Sequence, residues 1–308
     1  MENVNIALFL SASFFVIGCA GPQARFVKIS REVSAAGRKH DEAAISKLSS
    51  SIKVEDLSPE RIGKYSDEAI NALYDALLKI SFYLPDEEDC VLRMESVFSE
   101  KARRRKCGGD DVERMFDAFV MSGLFNKAGA LRQRFPDKSL PEVPEIVGRD
   151  NSGSTGWHVY RISEHGKKAE LQSLPENGQA IIMVMRPGCE FSEMAAEEIF
   201  ADQELGPIFR AKGVMLTRKF DPAGVEAIKE YFNFDAVYIA RRSSDFSGLS
   251  LLGISPTFYF IKEGKILDKF GGWSNEDGGA YAKKQIGKGL TAIGIKNETG
   301  DGSNTAHK

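Results

Sequence analysis

The chain has 308 residues, of which 42% are hydrophobic and 28% are charged, and its formal net charge is −3 at pH 7. This composition is typical of globular domains and excludes a disordered or collagen-like chain, and the length is sufficient for one large domain or two ordinary ones. The small net charge gives no electrostatic reason to expect nucleic acid as a partner, and four cysteines are too few for a disulfide-stapled miniprotein.

Residues 1–19 have the pattern of a targeting segment. The apolar run from Val4 to Ile17 is too short to span a bilayer comfortably but has the length of a signal-peptide core. It ends in Val16-Ile17-Gly18-Cys19, which resembles a bacterial lipobox. The resemblance implies that Cys19 carries lipid and begins the mature protein, and Ala20 after it implies the outer membrane.

Two alternatives to this lipid anchor are an ordinary cleaved signal peptide and a short membrane anchor. The segment MENVN at the start has no Lys or Arg, whereas signal peptides usually have a positive charge there. All three interpretations indicate an extracytoplasmic, oxidising setting, and the lipobox places the protein on the periplasmic face of a bacterial membrane.

Residues 20–147 are predicted to form a helical domain. Apolar residues recur there at helical spacing, and those that carry the pattern are Ala69, Leu73, Leu77, Ile80, Val91, Met94, Phe98, Met115, Phe119 and Met121. The stretch 115–136 resembles a single tetratricopeptide helical hairpin, with Gly123 at the turn and Ala128 at a packing position. Because no repeat of about 34 residues is visible, an irregular helical bundle is the favoured alternative. Either arrangement indicates a partner surface or a spacer.

Cys90 and Cys107 are not expected to form a disulfide with each other. If Val91 to Lys106 is one continuous helix, the two residues lie about 25 Å apart along its axis, whereas a disulfide requires Cα atoms within about 7 Å. They can pair only if this helix is broken. Once Cys19 is set aside, three cysteines remain, so at least one is free or bonded to another molecule.

A linker and a tail frame the second half of the chain. Pro136, Pro141 and Pro144 precede the stretch Asn-Ser-Gly-Ser-Thr-Gly at 151–156, which lacks an apolar period. We therefore place the linker at residues 148–156 and a second domain at 157–295. Residues 296–308 also lack an apolar pattern and are expected to be disordered.

Residues 157–295 are predicted to form an α/β domain, because strand patterns alternate with helix patterns and end in a hairpin. The predicted strands are 157–162, 180–186, 214–220, 237–240, 258–262 and 265–270, and the predicted helices are 192–200, 223–232 and 279–291. Residues 164–178 and 241–248 are predicted to be polar connections without regular structure. The predicted fold class is thus an N-terminal helical domain followed by an α/β domain.

Cys189 lies where the central strand of this domain turns into a helix. The N–H groups and the dipole of the first helical turn favour an anion at that position and can therefore favour a thiolate. Arg186 is expected to stabilise the thiolate, whereas the negative charge of Glu190 acts in the opposite sense.

Together with Ile254-Ser255-Pro256-Thr257 and the hairpin that follows, this turn resembles the active site of the thioredoxin-like family. The resemblance implies that Cys189 attacks disulfides, that Pro256 is a cis proline, and that Ser255 and Thr257 bind substrate. The position of the resolving cysteine is occupied by Ser192, which cannot form a disulfide but can donate a hydrogen bond to a thiolate. Met183 replaces the buried acid of the family, so the usual proton shuttle is missing.

These features lead to two functional hypotheses. The first is a membrane-tethered protein that carries out monothiol thiol–disulfide exchange through Cys189, with protein thiols and disulfides as partners. The second is a non-enzymatic envelope lipoprotein that uses a redox-inactive thioredoxin-like fold and the helical domain to bind or organise a protein partner. No cofactor is expected. No metal site is expected either, because the four histidines lack ligand spacing with cysteines or carboxylates.

Overall fold

The structure, a computed structural model, describes residues 21–148, 156–175, 177–274 and 279–296. The predicted signal segment with Cys19, most of the predicted linker and nearly all of the predicted tail lie outside these residues. In the described part of the chain, no helix is long and apolar enough to cross a membrane.

The N-terminal region is helical, as predicted. It contains α1 (Pro22–Gly37), α2 (Glu42–Ser51), a 3-10 turn (Val54–Leu57), α3 (Pro59–Ile62), α4 (Asp67–Tyr83), α5 (Glu88–Arg103), α6 (Gly109–Met121) and α7 (Phe125–Arg134). Helix α4 begins where the Ser66 hydroxyl accepts a hydrogen bond from Ala69 N, which satisfies one donor of its first turn. The residues at helical spacing bury one core: Leu73, Leu77, Ile80, Val91, Met94, Phe98, Met115 and Phe119 all belong to it.

Helices α6 and α7 form the predicted hairpin, with Gly123 at positive φ in the turn and Ala128 fully buried. A positive φ is the conformation that glycine adopts without steric cost.

Cys90 and Cys107 are both free, which confirms that they do not pair. Burial raises the pKa of the Cys90 thiol to about 12, so this residue stays protonated inside the helical core.

The described part of the C-terminal region is built on one mixed sheet of eight strands. The strands are β1 (Glu145–Val147), β2 (Trp157–Ser163), β3 (Lys168–Leu174), β4 (Gln179–Met185), β5 (Gly213–Thr217), β6 (Val237–Ala240), β7 (Thr257–Lys262) and β8 (Lys265–Gly271), in the order β1-β3-β2-β6-β5-β4-β7-β8. The helices are α8 (Glu190–Ala201), α9 (Leu205–Lys212), α10 (Pro222–Phe232) and α11 (Ala280–Ile293). Strand β4 is parallel to β5 and antiparallel to β7.

Several elements differ from the sequence-based expectation. The stretch 164–178 contains strand β3, which pairs with β2 on one side and β1 on the other. The predicted domain boundary at residue 147 falls just after β1, which belongs to this sheet. The stretch 241–248 is not a purely polar loop, because Phe246 is buried against the sheet and the Arg241 guanidinium pairs with the Asp245 carboxylate. Helix α9 was not predicted.

Alternating side chains give the sheet two different faces. Ile181, Met183 and Met185 of β4 pack in a core with helices α8, α9, α10 and α11. Ile182 and Val184 face the other way, into a core closed by Phe246, Leu249 and Leu251 of the segment between β6 and β7. The strand that leads to Cys189 is therefore buried on both sides, which holds its carboxyl end in place.

The helical region packs against the sheet region through polar and aromatic contacts. The Asp86 carboxylate accepts hydrogen bonds from the backbone N–H groups of Ser243 and Ser244 at 3.1 and 2.8 Å. The rings of Phe125 and Phe220 lie with their centroids 4.9 Å apart. These contacts place the segment after α4 beside the segment after β6, and the start of α7 beside the segment after β5.

Helix α11 approaches β7 so closely that residue 289 must be glycine. A Cβ added at Gly289 would lie 2.2 Å from Cδ2 of Phe260. We predict that Gly289→Ala lowers the free energy of unfolding by about 1–3 kcal/mol, because the overlap outweighs the gain in helix propensity. The matched control is Gly129→Ala in α7, where a Cβ meets nothing within 4 Å and is expected to stabilise by about 0.5–1 kcal/mol. Urea unfolding of both variants measures the difference, and a stabilised Gly289→Ala protein would contradict this packing.

Candidate functional site

The site begins with the register between β4 and β7. Val184 pairs with Thr257 in this antiparallel ladder, so the residues just beyond each strand, Arg186 and Ser255, emerge at the same edge of the sheet. The peptide bond between Ser255 and Pro256 is cis, as the family resemblance implied for Pro256.

A tight turn then brings the chain back over this edge. Gly188 has a φ of +74°, which favours glycine, and Cys189 N donates a hydrogen bond to Arg186 O at 3.1 Å. Cys189 is the residue that immediately precedes helix α8. Its thiol is therefore held at a helix N-terminus, where orphan N–H groups point outward.

The Cys189 thiol faces two serines that share a hydrogen bond. Its Sγ lies 3.9 Å from the backbone oxygen of Ser255, and the hydroxyl oxygens of Ser192 and Ser255 are 2.7 Å apart. Ser192 is fully buried, so its hydroxyl is fixed beneath the thiol rather than exchanging with solvent. The structure thus brings Ser255 to Cys189 and Ser192, although it follows them in the sequence by 66 and 63 residues.

The electrostatics of the site favour the thiolate. Partial burial is the largest single influence and acts to raise the pKa of Cys189. Hydrogen bonds from the Ser192 backbone and hydroxyl, the Phe191 backbone and the Ser255 hydroxyl outweigh it, so the pKa lies below the usual value. Hydrogen bonds to the charged form are a recognised cause of such a shift.

The other predicted site residues have different positions. Arg186 is exposed, and its side chain makes no hydrogen bond or ion pair with any residue that the structure describes. Its link to the site is the backbone oxygen that Cys189 N contacts. The Thr257 hydroxyl donates to Ile254 O and so closes the turn before β7. Met183 is fully buried in the core.

Sequence reasoning missed two apolar residues beside the thiol. Phe191 is 52% exposed and Ile254 is 66% exposed, although both are large and hydrophobic. Phe191 follows Cys189 by two positions, and Ile254 directly precedes Ser255. The sequence shows that each is an apolar residue close to a motif residue. Their exposure to solvent could not be predicted, because it depends on the geometry of the two turns.

Among the described residues, no group of three or more His, Cys, Asp or Glu side chains is placed to hold a metal ion.

The two other described cysteines are less suited to reaction than Cys189. Cys90 is buried in the helical core, and burial raises the pKa of the Cys107 thiol. Cys189 is therefore the described cysteine that is best prepared for nucleophilic attack.

No family model, curated protein or solved structure matches this chain.

The hydroxyl of Ser192 is expected to control the reactivity of the thiol. We predict that Ser192→Ala raises the pKa of Cys189, because a hydrogen bond that stabilises the thiolate is lost. The iodoacetamide alkylation rate of Cys189 in the native full chain, followed by mass spectrometry of the modified peptide across a pH series, measures this. Ser96→Ala is the matched control, since that hydroxyl bonds to Leu92 O on an exposed face of α5. An unchanged pH profile in Ser192→Ala would refute the assignment.

Proposed function

We propose that this protein carries out thiol–disulfide exchange with Cys189 as its single nucleophile. The observation that carries the proposal is the position of the thiol, which immediately precedes helix α8 and lies with its Sγ 3.9 Å from the backbone oxygen of Ser255, next to the cis Pro256. Hydrogen bonding at this position lowers the pKa of Cys189 against the effect of burial. A thiolate, rather than a thiol, is the attacking species in disulfide exchange.

We further propose that residues 157–295 form a thioredoxin-like domain. The order of elements supports this: a buried strand, a turn with the cysteine, a helix, and later a cis proline before a terminal hairpin and helix. The antiparallel pairing of β4 with β7 and of β7 with β8 is also in keeping with the family. Function in such a domain resides in the site rather than in the fold.

The proposed reaction needs no cofactor. The Cys189 thiolate attacks one sulfur of a substrate disulfide, the S–S bond breaks, and the other sulfur leaves as a thiolate. The product is a mixed disulfide between Cys189 and the substrate. Ser192 cannot resolve it, so a thiolate from another molecule must attack the substrate sulfur next. A new disulfide forms between that molecule and the substrate, the bond to Cys189 breaks, and Cys189 leaves as a thiolate. Ser255 and Thr257 beside the cis proline, together with Phe191 and Ile254, are proposed to bind the substrate polypeptide.

Oxidised glutathione tests this reaction on the full chain. We expect a stable mixed disulfide with one glutathione at Cys189, located by mass spectrometry, and none at that site in Cys189→Ser. Ser192→Cys is the informative second variant, because it supplies a resolving thiol one helical turn away and should convert the mixed disulfide into an internal disulfide. If wild type and Cys189→Ser react with equal rates and stoichiometry, the proposal fails.

A second candidate is a binding module that does no redox chemistry. It is favoured by one observation, that two large apolar residues, Phe191 and Ile254, are both exposed and both lie within two positions of a motif residue, because an apolar patch at this edge would serve as a docking surface whether or not the thiol reacts. A partner captured equally by wild type and Cys189→Ser, but lost when Phe191 and Ile254 are both changed to Ser, would favour this function over exchange.

We also propose that Cys19 is lipidated and tethers the protein to a bacterial membrane, with the outer membrane as its destination. The proposal is supported by the sequence Val16-Ile17-Gly18-Cys19 after the apolar run. Each buried methylene of an acyl chain contributes about 0.8 kcal/mol to membrane binding. Cys19→Ala is therefore expected to abolish incorporation of a labelled fatty acid in bacterial cells and to move the protein out of the membrane fraction. Labelling that persists in Cys19→Ala would contradict the anchor.

A further inference from the structure

A cavity of about 770 Å³ lies between the helical region and the carboxyl end of the sheet. This volume is within the range of small-molecule binding sites, which is about 300–1,000 Å³. On one side the cavity is bounded by the ends of α4 and α6, and on the other by the ends of β4 and β5. Arg186 and Ser255 also line it, so the cavity reaches the edge where Cys189 is held.

The walls of the cavity are largely apolar. Among the side chains that line it are Phe82, Phe116, Val120, Met121, Val184 and Leu251. Phe82 is exposed although it is a large hydrophobic residue. Walls of this kind favour an apolar ligand body, because the transfer of apolar surface from water to an apolar environment lowers the free energy.

One buried cation interrupts these apolar walls. Arg218 lines the cavity and is only 8% exposed. Its Nε donates to the Ser243 hydroxyl at 2.8 Å, but no carboxylate of the described residues lies within ion-pair distance of it. Burial lowers the pKa of Arg218 to about 10, and the negative charges of Asp86 and Glu42 only partly oppose this effect. A charge buried without a partner is unfavourable, so the unliganded protein keeps Arg218 here at a cost in stability.

The acidic groups around the cavity do not neutralise this cation. The Glu142 carboxylate lies 3.6 Å from the Arg132 guanidinium. The Asp221 carboxylate caps α10 by accepting from Gly224 N. Burial is the main cause that raises the pKa of Asp117, and its carboxylate forms no ion pair with Arg218. The positive charge of Arg218 is thus left for a ligand.

A second polar group in the cavity lacks a partner. Thr217 lines the cavity, and its fully buried hydroxyl oxygen makes no hydrogen bond to the described protein. Buried polar groups are nearly always hydrogen-bonded. The unsatisfied hydroxyl of Thr217 and the guanidinium of Arg218 therefore belong to two neighbouring residues that both line the cavity.

We propose that this cavity binds a small amphipathic carboxylate, with its anionic head on the Arg218 guanidinium and its apolar body along the walls of α6 and β4. A planar guanidinium matches a carboxylate with two parallel hydrogen bonds. An extended peptide fits less well, because its backbone N–H and C=O groups would face mainly apolar walls. Binding does not require the thiol to react, so the proposal is independent of exchange at Cys189.

Calorimetric titration of the full chain with three ten-carbon probes tests the ligand class. Decanoate has the required head, 1-decanol has the same body without charge, and decyltrimethylammonium has the opposite charge. We expect decanoate to bind at least about ten-fold more tightly than decanol, in keeping with a charge-assisted pair, and decyltrimethylammonium to bind most weakly. Equal binding of all three probes would overturn the proposal.

Arg218→Met separates a ligand role from a structural one. The variant keeps an apolar stem and removes the charge, so decanoate affinity should fall about ten-fold or more while decanol affinity is unchanged. In the absence of ligand the melting temperature should stay the same or rise, because an unpaired buried charge is removed. Arg218→Lys should recover part of the decanoate affinity. Unchanged decanoate binding in Arg218→Met would refute the assignment of the head group.

A cavity-filling variant locates the apolar body independently of Arg218. Met121 ends helix α6, is half-buried and lines the cavity. Met121→Trp should therefore block decanoate and decanol alike. If both probes bind Met121→Trp as they bind wild type, their site is elsewhere and the proposal fails. The Cys189→Ser protein should bind decanoate normally, which distinguishes failure of this proposal from failure of thiol exchange.

Discussion

The antiparallel pairing of β4 with β7 is the constraint on which the rest of the site depends. This ladder aligns Val184 with Thr257, and from that alignment the Cys189 turn and the segment around Ser255 must meet at one edge of the sheet. Because β4 is buried on both faces, the turn that follows it has a fixed position relative to the sheet. The short contact between the Ser192 and Ser255 hydroxyls then joins the first turn of α8 to the cis-proline segment. The thiol consequently lies between the first turn of α8 and the segment before β7, two stretches that are far apart in the sequence.

The features that were predictable from sequence are those with local causes. The buried run before Cys189, the glycine turn at Gly188 and the amphipathic helices near Leu73 and Phe98 each carry their own pattern, so strands and helices were placed there correctly. Other elements depend on distant partners. Strand β3 has a mixed pattern of exposed and buried positions and forms because β1 and β2 flank it. Helix α9 contains Gly206 and Pro207, which disfavour a helix by propensity, but a proline within the first helical turn is tolerated.

The candidate site was predictable in its residues but not in its electrostatics. The motif identified Cys189, Ser192 and Pro256, whereas Arg186 was expected to stabilise the thiolate and is instead exposed without a side-chain partner among the described residues. The stabilising groups are hydrogen-bond donors, whose orientation depends on the turn and on Ser255 across the sheet edge. The cavity with Arg218 was not foreseen at all, because its walls come from α4, α6, β4, β5 and the segment before β7. Cys189 and the cavity lined by Arg218 lie at one edge of the sheet, and both proposed activities depend on that edge.

The ultraviolet absorbance of the Cys189 thiolate as a function of pH, taken as the full wild-type chain minus Cys189→Ser, tests the central claim most directly. The thiolate absorbs in this range and the protonated thiol does not, and the subtraction removes the contributions of the other cysteines and the tyrosines. If hydrogen bonds from Ser192, Phe191 and Ser255 outweigh burial, the midpoint of the difference titration lies below the ordinary cysteine value of about 8.5. A midpoint at or above that value would mean that burial prevails, and Cys189 would then not be an activated nucleophile.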